Sequence, residues 1–203
     1  AALRALGLDR DELAPHLAEA ARMLGRVTCP HHGQMDSYLR AAAQALGAGE
    51  TFGPVPTAIH FGTPGATEPD PFFGGEGPER TGCRRCGECL LGCPYGAKND
   101  LTRNYLHLAE RRGAEIRAET EVTSVRPWGP GYLVETRHPW RRGRRTTVSA
   151  RRVVLAGGVL GTVELLHRYR DELGTLPHVS DRLGQHVRTN SEALTEILQP
   201  PGQ

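Results

Sequence analysis

The stretch that decides the fold is RRVVLAGGVLGTVELLHR, residues 151–168. It contains an uninterrupted apolar run, residues 153–156, of the kind found in strands that are buried on both faces. Gly157 and Gly158 follow, and the apolar residues after them recur at helical spacing. A buried strand that passes through glycines into a helix is typical of nucleotide binding, because glycine lets the backbone approach a cofactor and the first helical amides favour negative charge. A Gly-Gly turn that serves only packing is the alternative.

Three segments around this stretch predict a strand meander. They are AEIRAETEVTSVRP (114–127), GYLVETRH (131–138) and RTTVSARRVVLAGG (145–158). Each has alternating or β-branched residues, and the turn signals WGPG and RRGRR separate them. Together with the helix that follows, these segments predict an α/β fold for the second half of the chain.

The first half is predicted to be helical and then rich in loops. Apolar spacing predicts helices over residues 8–25 and 35–46, and the second helix stops at Gly47. Residues 48–82 are so rich in Gly and Pro that they can carry only short strands and turns. A further helix is expected over residues 99–113, with Asp100 or Asn99 as its cap.

Residues 80–99, RTGCRRCGECLLGCPYGAKN, have the spacing C-x2-C-x2-C-x3-C-P and hold four of the five cysteines. This spacing matches the bacterial ferredoxin run and predicts an iron–sulfur site. The candidate metal ligands are Cys83, Cys86, Cys89 and Cys93. Zinc is the alternative metal, although its knuckles usually lie farther apart. A reduced loop without metal, or one with a disulfide, is the third possibility.

The fourth cysteine of the run has no obvious second cluster to serve. In two-cluster ferredoxins that cysteine binds the other cluster, and this chain has no second run. Cys93 therefore closes the same cluster, stays free beside a three-iron cluster, or yields to a remote ligand, for which Cys29 is the candidate.

Composition excludes few functions. The 203 residues carry a formal net charge of +2, so charge balance implies neither nucleic acid nor an anionic membrane as a partner. No apolar run approaches the roughly 20 residues that span a bilayer, and the first residues do not resemble a signal peptide. We expect a globular, cytoplasmic protein without a transmembrane segment. Because the sequence begins without Met, we also expect it to be an internal piece of a longer protein.

The order of several segments resembles the glucose-methanol-choline (GMC) family of FAD-dependent oxidoreductases, in particular its bacterial cholesterol-oxidase-like branch. The similar segments are GCPYGAKNDLTRNYLHLAERRGAEIRAETEVTSV, GYLVET, RRVVLAGGVLGTVELLHR and LPHVSDRLGQHVRTNSE. The resemblance covers roughly residues 75–195. It implies an enzyme that oxidises an alcohol or sterol to a carbonyl by hydride transfer to FAD, with oxygen, a quinone or a redox protein as electron acceptor.

The resemblance also implies cofactor contacts. The backbone of Val122 would lie beside the adenine, and Asn99 is a candidate contact in the flavin-facing region. The stretch LAGGVLGT would lie beside the flavin dinucleotide, which nominates Ala156, Gly157 and Gly158.

Some iron–sulfur sugar dehydrogenases of the same family have a comparable cysteine run that holds a three-iron cluster. Their ligands correspond by spacing to Cys83, Cys89 and Cys93, and Cys86 adds a possible fourth ligand for a four-iron cluster.

Two departures from the family pattern bear on activity. No G-x-G-x-x-G follows a buried strand, and the catalytic histidine segment is absent, so we assign no catalytic residue and expect this chain alone to be inactive.

We expect residues 1–82 to belong to a substrate or cap region, 83–113 to form a cysteine-rich loop and helix, and 114–203 to be a partial FAD/NAD(P)-binding, Rossmann-like domain. The alternative function is a zinc-stabilised module that binds nucleic acid through the cysteine loop and RRGRR.

Overall fold

The computed structural model describes residues 7, 9–141 and 143–189. They form two compact units: unit 1 ends at Ile116 and unit 2 begins at Arg117. Both units are built from short helices and small antiparallel sheets, so the mixed α/β class is confirmed. In the part of the chain that the structure describes there is no parallel sheet, and the Rossmann-like arrangement stays a prediction for the complete protein.

Unit 1 contains the predicted helices α1 (Arg10–Met23) and α2 (Gln34–Ala45). The side chain of Asp9 caps α1 by accepting a 3.0 Å hydrogen bond from the amide of Asp11. The helix predicted over residues 99–113 is divided. A 3₁₀ turn, Leu101–Arg103, is capped by Asp100, and α3 (Tyr105–Arg111) begins only after it.

The break lies at Asn104. Its backbone has φ −131° and ψ −98°, outside the helical region, and its side chain accepts a hydrogen bond from the amide of Tyr105. A side chain that caps the second segment in this way favours a new helix start over a continuous helix.

Unit 1 contains two pairs of two-residue strands, and three of these four strands lie in the Gly- and Pro-rich residues 48–82, for which only short strands and turns were predicted. β1 (Val27–Thr28) pairs with β2 (Pro56–Thr57), and β3 (Thr67–Glu68) pairs with β4 (Arg80–Thr81). Gly82 follows β4 directly. A β-carbon at this position would overlap the carbonyl group of Thr63, so only glycine fits there.

Unit 2 contains the predicted meander. β5 (Glu121–Trp128), β6 (Gly131–Arg137) and β7 (Arg145–Ala150) form an antiparallel sheet in the order β5-β6-β7. Helix α4 (Gly158–His167) follows, and a π-helical turn, Arg168–Glu172, extends it.

The prediction of a buried strand at residues 153–156 is wrong for this structure. These residues have no regular structure, and Val154 is 86% exposed. A strand buried on both faces needs a neighbour along each edge, and in the described residues no strand pairs with this segment.

Few apolar side chains are buried in the described part of the chain. They are Met23, Ala97, Val125 and Tyr169. Large apolar side chains such as Leu46, Leu90 and Val154 are more than 80% exposed. The two units therefore leave much apolar surface open.

Candidate cofactor site and cysteine loop

Residues 156–158 lead into α4 with an open backbone. Gly158 has φ +74°, and a β-carbon built there would meet no atom within 4 Å. Gly157 is the N-cap residue and makes no side-chain capping bond, so no capping side chain competes for the first amides of the helix. This arrangement fits the predicted approach of an anionic cofactor to residues Ala156, Gly157 and Gly158.

Val122 lies in β5 beside an irregularity in the sheet. It is paired with Thr136, whereas Ser124 is already paired with Glu135, so Thr123 is an extra residue in the strand. The Thr123 hydroxyl donates to the carbonyl of Glu135 over 3.1 Å. A β-bulge interrupts the ladder and leaves backbone groups without cross-strand partners. The contact of the Val122 backbone with the adenine stays a prediction, and the bulge lies next to it in the strand.

Asn99 is buried in unit 1 next to Arg80. The guanidinium of Arg80 donates to Asn99 Oδ1, to the carbonyl of Gly96 over 2.8 Å and to the carbonyl of Ala97 over 3.0 Å. Asn99 Nδ2 has no hydrogen-bond partner. Asn99 thus supplies one unused donor rather than an open binding surface.

The two ends of the cysteine loop are joined through residues 58–60. The amide of Cys83 donates to the carbonyl of His60, and the amide of His60 donates to the carbonyl of Ala97 over 2.8 Å. The amide of Asn99 donates to the carbonyl of Ala58 over 2.7 Å. The loop therefore leaves and rejoins the unit at one fixed base.

The four cysteines of the run do not converge in this structure. Cys86 is exposed, and Cys83 Sγ accepts a hydrogen bond from the amide of Arg85, whose φ is +59°. All five cysteines are free thiols. Within the described ranges, no group of three or more His, Cys, Asp or Glu side chains is placed to hold a metal ion. The predicted ligand set therefore does not fit a preformed metal centre.

Cys93 differs from the other cysteines of the loop. Burial alone would raise the pKa of its thiol, but the nearby backbone amides of Lys98, Tyr95, Ala97 and Gly96 together lower that pKa below its usual value.

His60, which the sequence analysis did not nominate, lies at the base of the loop. Its Nε2 is 2.6 Å from Glu68 Oε1, and its ring packs edge-on against Phe72. Arg80 was missed as well. Neither residue belongs to a spacing pattern, so no signal in the sequence distinguishes them from surface residues.

Comparison with known proteins identifies the family. The family model described as GMC oxidoreductase matches residues 78–188, a range that includes the cysteine loop, the β5–β6–β7 sheet and α4. The chain belongs to the GMC oxidoreductase family. GMC oxidoreductases are FAD-dependent, and this membership favours the oxidoreductase hypothesis over the zinc-stabilised nucleic-acid-binding module.

Curated relatives of this GMC oxidoreductase chain include two cholesterol oxidases. The chain is 45% identical to cholesterol oxidase of Mycobacterium tuberculosis over 194 residues, which are 91% of this chain and 33% of the relative. It is 41% identical to cholesterol oxidase of Acinetobacter baumannii over 200 residues, which are 93% of this chain and 36% of the relative. An uncharacterised GMC-type oxidoreductase of M. tuberculosis is 36% identical over 109 residues.

The GMC oxidoreductase chain spans about a third of the length of the cholesterol oxidases it matches. No solved structure matches it. None of the helices in the described residues combines the length and apolar character needed to cross a membrane.

Proposed function

We propose that the complete protein containing this chain is an FAD-dependent oxidoreductase that converts an alcohol CH–OH group to a carbonyl. The observation that carries the proposal is the 41–45% identity to two cholesterol oxidases over more than nine-tenths of the chain, together with the family match. A sterol or related alcohol is the proposed substrate class. Oxygen, a quinone or a redox protein is the proposed electron acceptor.

The chain's own part is to bind and orient the cofactor. The backbone beside Val122 would contact the adenine, and residues Ala156, Gly157 and Gly158 would let the dinucleotide approach the start of α4. The bulge at Thr123 and the uncapped start of α4 support these assignments. Bound FAD would supply the hydride-accepting chemistry. No residue of this chain is assigned as catalytic acid or base.

The segment assignments follow from the same proposal. Residues 1–82 would contribute to a substrate or cap region, 83–113 would form the cysteine-rich loop and helix, and 114–203 would complete the FAD-binding domain. A cytoplasmic location remains our prediction. The exposed side chain of Val154 supports the domain assignment, because an apolar residue in an unpaired segment is expected where the neighbouring strands of a sheet would come from elsewhere in the complete protein.

The iron–sulfur cluster stays a hypothesis outside this proposal. The four cysteines do not converge, so we route no electron step through them. Hydride transfer to flavin does not require a cluster, and the proposed reaction is complete without one.

The test is to purify a full-length protein that contains this chain and record its visible absorption. We expect flavin bands that bleach when a sterol or simple alcohol is added without oxygen, and consumption of oxygen or of an artificial acceptor during turnover. A folded protein that binds no flavin would overturn the proposal. Flavin that no alcohol reduces would overturn the assigned reaction while leaving the cofactor in place.

A further inference from the structure

Unit 2 contains a cavity of about 390 Å³ at the end of the sheet where β5 and β7 begin and β6 ends. Most of the ionisable side chains that line it are basic. They are Arg117, Arg137, His138, Arg141 and Arg144, with Glu119 as the acidic one. Four guanidiniums and one carboxylate thus line a volume that suits a small ligand.

His138 adds no charge to this cavity and holds its carboxylate. Its Nδ1 accepts hydrogen bonds from the amides of Trp140 and Arg141 over 3.1 and 3.2 Å, so this nitrogen carries no proton. The proton of the neutral ring is therefore on Nε2, which donates to Glu119 Oε2 over 2.9 Å. Glu119 has φ +49°, which is uncommon for a residue other than glycine. The carboxylate is thus already occupied by a hydrogen bond within the protein.

The guanidiniums of the lining differ in whether an acid neutralises them. Arg137 donates from Nε and Nη2 to the two carboxylate oxygens of Glu121, each over 2.8 Å. In contrast, no hydrogen bond or ion pair joins the guanidinium of Arg141 or of Arg144 to another described residue. Arginine stays protonated at any pH at which the protein is folded, so these two positive charges repel each other unless an anion binds between them.

We propose that this cavity binds the phosphate group of a ligand, with Arg141 and Arg144 as the residues that hold it. A phosphate monoester carries between one and two negative charges near neutral pH, which matches two unneutralised guanidiniums better than a single carboxylate does. Its oxygens also accept the paired N–H donors of an arginine side chain. This site goes beyond the proposed function, since neither the flavin nor the alcohol substrate is its ligand.

The test is calorimetric titration of the FAD-loaded full-length protein with inorganic phosphate at low ionic strength. We expect wild type to bind phosphate with a Kd of about 1 mM or below. Arg141→Gln and Arg144→Gln should each weaken binding about tenfold, as the loss of a hydrogen bond between charged groups predicts. Arg145→Gln is the matched control, because it removes the same charge from a neighbouring residue that does not line the cavity. It should change the Kd by less than about twofold.

Two further variants separate the cavity from general surface charge. Glu119→Gln removes the acidic group of the lining, and His138 can still donate to the amide oxygen, so phosphate should bind about threefold more tightly or better. Arg141→Lys keeps the charge but loses the paired donors and should weaken binding. Circular dichroism checks that each variant is folded.

The source of the phosphate group is tested with vesicles that contain phosphatidylglycerol. Cosedimentation that inorganic phosphate abolishes would assign the group to a lipid headgroup. Phosphate binding without cosedimentation would assign it to a soluble ligand, and either result supports the site.

Three results would overturn the inference. They are a wild type that does not bind phosphate at millimolar concentration, an equal loss of binding in Arg145→Gln and Arg144→Gln, and phosphate binding that displaces FAD. The last result would assign the cavity to the cofactor, because Thr136, the strand partner of Val122, also lines it. If wild type holds no FAD, the proposed function fails, and the phosphate titration still decides this inference.

Discussion

The amide of Cys83 donates a 2.9 Å hydrogen bond to the carbonyl oxygen of His60, and so the first cysteine of the run is fixed where the last part of the loop also returns. Between these fixed ends the loop extends into solvent. Leu90 and Leu91 near its middle are almost fully exposed, and Cys86 is exposed as well. Whether the loop binds a metal therefore depends on which of its cysteines would act as ligands.

Alkylation of the cysteines distinguishes a metal-free loop from an iron–sulfur site. In metal-free protein we expect Cys86 to be modified by a neutral alkylating reagent before Cys83 and Cys89, because it is the exposed cysteine of the run. Peptide mass spectrometry after short labelling measures the order. Cys29, which lies outside the run, serves as internal control.

The iron–sulfur hypothesis makes the opposite prediction for protein prepared without oxygen. Iron and acid-labile sulfide should then be present in near-cluster proportions, and Cys83, Cys89 and Cys93 should be protected from the reagent together. Serine at any of these three positions should abolish the cluster. Anaerobic protein that contains flavin but no sulfide would end the hypothesis.

Gly158 and Gly161 give a matched pair in α4. Gly158 has φ +74°, whereas no positive φ is found at Gly161, and a β-carbon would meet nothing at either position. We expect Gly158→Val to destabilise the full-length protein by about 1–2 kcal/mol through backbone strain and to reduce its flavin content, since the valine would stand where we propose that the cofactor approaches. Gly161→Ala should be neutral or stabilising by up to about 1 kcal/mol.

Flavin content per folded polypeptide and urea unfolding measure these two effects separately. Unchanged flavin occupancy in Gly158→Val would assign the Gly157–Gly158 turn to packing alone.

Asp70 should make the stability of the protein depend on pH. Burial alone would raise the pKa of its carboxyl, but amide hydrogen bonds from Phe72, Gly77, Gly75 and Phe73 lower it below the ordinary value. A depressed pKa means that stabilisation is complete above the pKa of the unfolded chain, about 4, and is lost as pH falls through the lower folded value. Asp70→Asn should cost about 2 kcal/mol at pH 7, since hydrogen bonds to a charged acceptor are lost.

Urea midpoints at pH 7 and pH 3 test this expectation. The difference between wild type and Asp70→Asn should shrink at the lower pH. A difference that is equal at both values would mean that the carboxylate charge does not stabilise the turn.

Val154 tests whether residues 153–156 become a buried strand in the complete protein. Val154→Asp should destabilise the full-length protein by about 3 kcal/mol or more, because an unpaired charge would enter the sheet. Val55, which is 69% exposed and lies outside any predicted strand, provides the control: Val55→Asp should change stability by no more than about 0.5 kcal/mol. Thermal unfolding measures both. Equal, small effects would place residues 153–156 on the surface of the complete protein.

The features that could be predicted from sequence are those that depend on neighbouring residues. The spacing of apolar residues located α1 and α2, alternation located the strands of the meander, and Asp100 was expected to cap a helix. The break at Asn104 was missed because its side chain competes for the backbone locally, which spacing does not reveal.

The base of the cysteine loop could not be predicted. Arg80 and Gly96 are 16 residues apart in sequence, and His60 is farther still from Ala97. The spacing of cysteines along the sequence does not determine the directions of their side chains. Left-handed backbone at Arg85 and Gly87 turns the chain within the run, and in the described residues the thiols form no group that could hold a metal, although their spacing matches a ferredoxin.

The apolar side chains that both units leave open make the folding of this chain a binding problem. Leu46 and Val154 are more than 80% exposed, and any segment that covers such residues in the folded form alone shifts the equilibrium toward that form. We therefore expect this chain and the remainder of the complete protein that we propose, produced as separate polypeptides, to behave as complementing pieces: the apparent melting temperature of one would rise with the concentration of the other, and flavin would be retained only after they associate.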